Sequence, residues 1–283
     1  MGKDKLKIVR RIRKSILLSV CLFAFLGLKA QSFDPETYWQ DVDFNDTTLM
    51  ASKLLDDKMV DFLYQYSCCD EERFDSLSVS GVGIILGKAK VNMRMYAYIL
   101  DFLLNGYSAM GKSQVVDYLL NYPMLFEGEI SMEEGQRLDS ITETYQKVKV
   151  GAKAPDFSGI TIDGKAYSIY GSSAKSIILV FWSTDCEYCH DFLKSIRKNL
   201  NLNSDYELVT FALADSREEV AATVKKLRLP AYHFYDALRW EGMAFLDYHV
   251  TSTPTVFVLD LDKTIVCKPY DWNELKRWIK FNH

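Results

Sequence analysis

The chain has 283 residues, 48% hydrophobic and 25% charged, with six cysteines and a formal net charge of −4. That length suits one large or two ordinary domains, and the composition excludes a disordered or collagen-like chain. The charge is not evenly spread. Residues 1–30 hold eight of the 34 Lys and Arg and one of the 38 Asp and Glu, so the remainder carries 26 basic and 37 acidic side chains, a net −11. Such a surface repels phosphate backbones, which argues against nucleic acid as a partner.

The first thirty residues read as a secretory signal peptide. Lys3, Lys5, Lys7, Arg10, Arg11, Arg13 and Lys14 precede the 14-residue apolar run "SILLSVCLFAFLGL", and Ala30 supplies a small residue for cleavage. The run is shorter than the ~20 residues that span a bilayer, so no membrane attachment is expected after cleavage. An uncleaved anchor and a lipid on Cys21 are the other readings of this segment. Export places the remaining cysteines where disulfides persist. Five remain, Cys68, Cys69, Cys186, Cys189 and Cys267, so at least one is unpaired or pairs between molecules. Cys68, Cys69 and Cys267 read as structural residues.

Residues 31–148 form the first predicted domain, mainly α-helical and of unknown role. Helical spacing is seen in "TTLMASKLLDDKMVDFLYQY", with Leu49, Leu54, Leu55, Val60, Phe62 and Leu63, and again in "VNMRMYAYILDFLLNGYSAMG". "SQVVDYLLNYP" is a third helix, stopped by Pro123. "SMEEGQRLDSITETYQKV" is a fourth, opened by the capping-box pair Ser131 and Glu134. Tyr64, Tyr66, Tyr96, Tyr98 and Phe102 are expected in its core.

Residues 149–283 form the second domain, and here the pattern changes. "VGAKAPDFSGITIDGKAYSIYG" has two short strands around Asp163-Gly164. "SIILVFW" is a strand buried on both faces. "CEYCHDFLKSIRKNL" is a helix, "YELVTFALAD" a second buried strand, and "SREEVAATVKKLRL" a helix capped by Ser216 and Glu219. A short strand "AYHFYD" follows, then a helix over "LRWEGMAFLDYHV". "TPTVFVLDLDKTIVCKP" gives two strands, and Asp271 starts a final amphipathic helix. The order predicts an α/β domain with a mixed sheet and helices on both faces.

The chemistry sits in "FWSTDCEYCH", residues 181–190. C-x-x-C-H fits a c-type haem attachment, with His190 as axial ligand; C-x-x-C after an apolar run fits a dithiol redox centre. A haem has little room directly after a buried strand, and zinc lacks a fourth ligand beside Cys186, Cys189 and His190. Neither a metal nor another cofactor is expected. In the dithiol reading Cys186 opens a helix, where the unpaired N–H groups favour a thiolate, and Cys189 lies one turn on. Asp185 and Glu187 oppose thiolate formation by like charge, while a protonated His190 assists it. Pro254 stands at the entrance of a later strand, where a cis Thr253–Pro254 bond would make a tight turn.

With "VGAKAPDFSGITIDGK", "ILVFWSTDCEYC" and "VTSTPTVFVLD" together, residues 149–283 resemble the TlpA/ResA-like thiol–disulfide oxidoreductases of the thioredoxin fold. The resemblance implies Cys186 as nucleophile, Cys189 as resolving thiol with Cys186–Cys189 as the redox disulfide, and Pro254 as cis-proline. Trp182 and Thr253 are then the substrate-binding neighbours. It implies an exported, periplasmic protein of a Gram-negative bacterium that reduces or isomerises disulfides of an extracytoplasmic protein and draws on a separate membrane electron donor. Residues 31–148 resemble a helical leader domain found before such domains. Two positions depart from the family: Asp185 stands where Trp is usual, and Phe192 where some relatives carry a proton-handling glutamate. Asp185 and His190 are the candidates left for that acid/base role, with Asp191 beside them. The rival readings are an exported binding or scaffold protein and a peroxiredoxin-like thiol peroxidase. "GAKAPDFSG" resembles the start of peroxiredoxins, but Leu179 stands where their proline is expected.

Overall fold

The computed structural model describes residues 33–67, 69–122, 130–200 and 206–282. The expected signal peptide and Cys68 lie outside them. The chain divides into two compact units, one up to Tyr145 and one from Gln146.

The first unit is helical. It comprises α1 (Pro35–Tyr38), a 3₁₀ turn (Thr47–Ala51), α2 (Lys53–Tyr64), α3 (Glu71–Ala89), α4 (Met93–Ala109), α5 (Ser113–Asn121) and α6 (Met132–Gln146). Side-chain caps set the starts. Ser52 Oγ accepts from Leu55 N at 3.2 Å, Asp70 from Arg73 N at 3.0 Å, and Asn92 from Arg94 N at 3.0 Å. The box at Ser131 closes both ways, with Glu134 N on Ser131 Oγ at 3.2 Å and Ser131 N on Glu134 at 3.1 Å.

The 19-residue α3 is not among the helices that periodicity picks out. Gly81, Gly83 and Gly87, with Ser76, Ser78 and Ser80, dilute its helical signal. Tertiary contact compensates. A Cβ on Gly81 would meet the Phe62 ring at 3.0 Å, and one on Gly83 the Tyr118 hydroxyl at 3.0 Å. These glycines let α2 and α5 lie close, and Val82, Ile85, Leu86 and Ala89 are fully buried. Tyr66, Tyr96 and Phe102 are core residues, as expected, whereas Leu54 faces solvent at 73% exposure.

The second unit opens with an antiparallel hairpin, β1 (Ser158–Ile160) and β2 (Ala166–Ser168), turned at Gly164 with φ +87°. The main sheet has β3 (Ser176–Ser183), β4 (Tyr206–Leu213), β5 (Tyr232–Tyr235), β6 (Thr255–Leu259) and β7 (Ile265–Cys267), in the spatial order β5-β4-β3-β6-β7. β3, β4 and β5 run parallel, while β6 is antiparallel to β3 and β7 to β6. This is the thioredoxin-like mixed sheet.

Strand periodicity divides β3 between two cores. Ile177, Leu179 and Phe181 join Phe211, Phe234, Phe257 and Tyr248 on one face. Ile178, Val180 and Trp182 join the other, beneath α7 (Glu187–Asn199), α8 (Arg217–Leu227) and α10 (Trp272–Asn282). The first face is covered by the segment from Val148 to Ile169 and by short α9 (Met243–Asp247).

The helix expected over residues 238–250 is instead broken. A 3₁₀ turn (Arg239–Glu241) and α9 are separated by Gly242 in extended conformation. Asp236 causes the break: its carboxylate accepts from Leu238 N at 2.8 Å, and a Cβ on Gly242 would lie 2.5 Å from it. Arg239, at φ +55°, pairs with Asp215.

Candidate active site

Strand β3 delivers the cysteines. Its ladder with β4 runs one residue further through Thr184 N, which donates to Leu213 O at 3.1 Å, and Cys186 N then donates to Ser183 O at 3.2 Å. That turn places Cys186 at the N-cap of α7, with extended backbone at φ −98° and ψ 99°. His190 N donates to Cys186 O at 3.1 Å and starts the helical ladder. Cys186 Sγ accepts from Cys189 N at 3.1 Å. The sulfur thus holds the place that a Ser or Asp oxygen takes at other helix starts, where N–H groups stabilise negative charge.

Cys186 and Cys189 are joined as a disulfide, with Cα atoms 5.2 Å apart. The two sulfurs have different access. Cys189 is fully buried, packed with Ile178, Val180 and Val256, while Cys186 is half-buried. Reduction would therefore present one reachable thiol over one sheltered thiol.

Strand β6 supplies the opposite wall. Phe181 is in register with Thr255, so the residues before β6 reach the same end of the sheet as those after β3. There the Thr253–Pro254 peptide is cis, and Thr253 O lies 3.9 Å from Cys186 Sγ. Thr255 Oγ1 donates to Ser252 O at 2.7 Å and holds the bend from below. Thr184 and Ser252 are supports that the sequence does not advertise. Each is a small polar residue in a loop, with no motif of its own.

The other residues expected at the site fall at three depths. Asp185 is exposed, and Ser183 Oγ donates to its carboxylate at 2.7 Å. His190 is half-buried and meets Trp182 edge-on, with ring centroids 5.9 Å apart. Trp182, expected to contact substrate, has no exposed surface. It supports the cysteine turn from the core, because β3 alternation aims it at the same layer as Ile178 and Val180. Phe192 is likewise buried in that layer.

Among the described residues, no group of three or more His, Cys, Asp or Glu could hold a metal ion, and no helix is long and apolar enough to cross a membrane. Cys69 and Cys267 are free and half-buried. Burial, then the nearby Glu274 carboxylate, pushes the Cys267 thiol up to about 12.

Residues 150–268 match the AhpC/TSA family. The chain is 28% identical over 128 residues to "Thioredoxin-like protein YneN" of Bacillus subtilis, covering 43% of this chain and 74% of that protein. It is 24% identical over 144 residues to "Thiol-disulfide oxidoreductase ResA" of Bacillus cereus, covering 50% of this chain and 75% of that one. Among solved structures, a thioredoxin-like protein from Bacteroides caccae superposes with a TM-score of 0.58 at 16% identity. That match covers 93% of this chain and 99% of the other, and it shows a shared fold.

Proposed function

We propose that this chain, whose residues 150–268 match the AhpC/TSA family, is an exported thiol–disulfide oxidoreductase that reduces or isomerises protein disulfides through Cys186 and Cys189. One observation carries the reading: a half-buried sulfur caps a helix and is bonded to a fully buried one. The cis Thr253–Pro254 loop, with Thr253 O 3.9 Å from Cys186 Sγ, supports it.

The chemistry follows from those positions. In the reduced protein the Cys189 N–H and the α7 dipole stabilise the Cys186 thiolate. It attacks one sulfur of a substrate disulfide and releases the other as a thiolate. Cys189 then gives up its proton and attacks Cys186 Sγ, and the second substrate sulfur leaves. The substrate gains two electrons and the protein regains its Cys186–Cys189 bond. Asp185 and His190 are the candidates for handling the Cys189 proton, Asp185 from the solvent side and His190 from the turn that holds Cys189. A separate donor outside this chain must return the electrons. The basic, apolar residues 1–30 support secretion to the periplasm, where a disulfide-bearing protein is the substrate. A peroxidase is less favoured, because Leu179 lies fully buried in mid-β3, where that reading wants a proline.

The test is a redox titration of the mature protein with alkylation and mass-spectrometric mapping. Cys186 and Cys189 should form one reversible disulfide. Cys186→Ser should abolish disulfide reduction, and Cys189→Ser should trap a mixed disulfide on Cys186. A dithiol that never cycles sinks the reading.

A further inference from the structure

We infer that the carboxylates beside the attacking sulfur select disulfides carrying positive charge; this rests on the oxidoreductase reading above. The two segments that frame the disulfide, residues 183–190 and 249–256, contain Asp185 and Glu187 and no Lys or Arg. Both carboxylates are on exposed residues immediately flanking half-buried Cys186. Ser183 Oγ orients the Asp185 group. Glu187 makes no ion pair among the described residues, and as the first residue of α7 it lies in the turn whose cap is the reactive sulfur. The nearest carboxylate further along the helix, Asp191, is already engaged by Lys194 at 2.9 Å. A substrate disulfide has to approach Cys186 in line with the bond being broken, so its flanking groups pass these side chains.

The carboxylates do not make the site; they bias an existing one. Negative charge at the rim raises the local concentration of cationic partners and repels anionic ones, and salt screens both effects. For one substrate charge passing this exposed rim the bias is about threefold, favourable for a cation and unfavourable for an anion. The protein outside residues 1–30, at net −11, adds to it in the same direction. The substrate class this favours is a disulfide whose cysteines are flanked by Lys or Arg.

The test uses full-length mature protein, pre-reduced and freed of reductant, in single-turnover reactions with three small disulfides: dicationic cystamine, neutral bis(2-hydroxyethyl) disulfide and dianionic 3,3′-dithiodipropionate. In each reaction Cys186 and Cys189 are oxidised to their disulfide and the reagent is reduced to two thiols. Each rate is divided by that of neutral dithiothreitol with the same reagent, which removes differences in leaving group. The normalised rates should fall from cystamine to the dianion by about tenfold in about 20 mM salt, and the spread should collapse in about 500 mM salt. Glu187→Gln should narrow the spread and Glu187→Lys, which leaves Asp185 facing one lysine, should nearly abolish it. Because the readout is a ratio across substrates, a change in Cys186 reactivity itself cancels. An unchanged spread in both variants, or one insensitive to salt, overturns the inference. If none of the three reagents oxidises the wild-type dithiol while dithiothreitol consumes them, the oxidoreductase reading itself falls.

Discussion

Cys267 and Cys186 lie in one domain with opposite surroundings. Cys186 caps a helix and reaches solvent; Cys267 sits on β7 opposite Val258, with its thiol pushed up to about 12 by burial and by Glu274. Thiolates, not thiols, react with alkylating agents. In the reduced native protein at about pH 8, iodoacetamide should therefore modify Cys186 at least about a hundredfold faster than Cys267, and unfolding should abolish the difference. Equal native rates would show that the burial of Cys267 does not control its reactivity. His233 makes a second prediction. Its Nε2 lies 3.0 Å from Leu229 O, which can only accept, so Nε2 carries the proton and Nδ1 accepts from Thr210 Oγ1 at 2.7 Å. That ring is neutral, and burial holds its pKa below the ordinary histidine value, partly offset by the Leu229 bond. A depressed histidine favours folding fully above the unfolded value. The benefit is lost as pH falls below about 6.5, because the unfolded chain takes up the proton first. Urea midpoints should drop between pH 7.5 and 5.5, and His233→Asn should lose part of that slope while lowering stability at both pH values. An identical slope in the variant would assign the acid sensitivity elsewhere.

At the scale of elements, helix glycines separate into two kinds. Gly106 in α4 faces α2, where a Cβ would lie 2.4 Å from Leu63 Cδ1, whereas Gly87 in α3 has nothing within 4 Å of that position. Gly106→Ala should destabilise by about 1–3 kcal/mol through overpacking. Gly87→Ala should stabilise by about 0.5–1 kcal/mol by reducing the freedom of the unfolded chain. Denaturant titrations giving the same sign for both would contradict the packing of α2 on α4. This contrast also explains what could be read beforehand. The buried strands β3 and β4 are legible because both faces are covered and, Glu207 apart, their residues are apolar, aromatic or small. Helix α3 is not, because its glycines answer to Phe62 and Tyr118, which are distant in sequence. The break at Gly242 escapes for the same reason: it depends on where Asp236 points. At the site, C-x-x-C spacing and Pro254 mark the reactive end of the domain, and the alternation of β3 already holds the signal that Trp182 faces inward with Ile178 and Val180. The difference in exposure between Cys186 and Cys189 has no such local signal. It arises from tertiary packing: Cys189 is a buried member of the layer that holds Val256 and Leu193, whereas Cys186 is only partly covered by that layer.

At the scale of the molecule, each unit has a hydrophobic core of its own, and the family match begins at residue 150. Every residue proposed to act on a disulfide lies in the second unit, and the hydrogen bonds described for Cys186, Thr253 and Thr255 close within it. A domain with a hydrophobic core of its own can in principle fold alone. Residues 146–283 expressed alone should therefore form the reversible Cys186–Cys189 disulfide and reduce bis(2-hydroxyethyl) disulfide within about twofold of the mature chain, since that reagent touches only the reacting sulfurs and the rim. The mature chain should unfold calorimetrically in two transitions, one matching that of the fragment. A fragment that folds but cycles more than about tenfold more slowly would show that the helical unit contributes to the chemistry itself. A fragment equal on the small reagent and slower on a folded disulfide protein would instead assign the helical unit to holding the substrate.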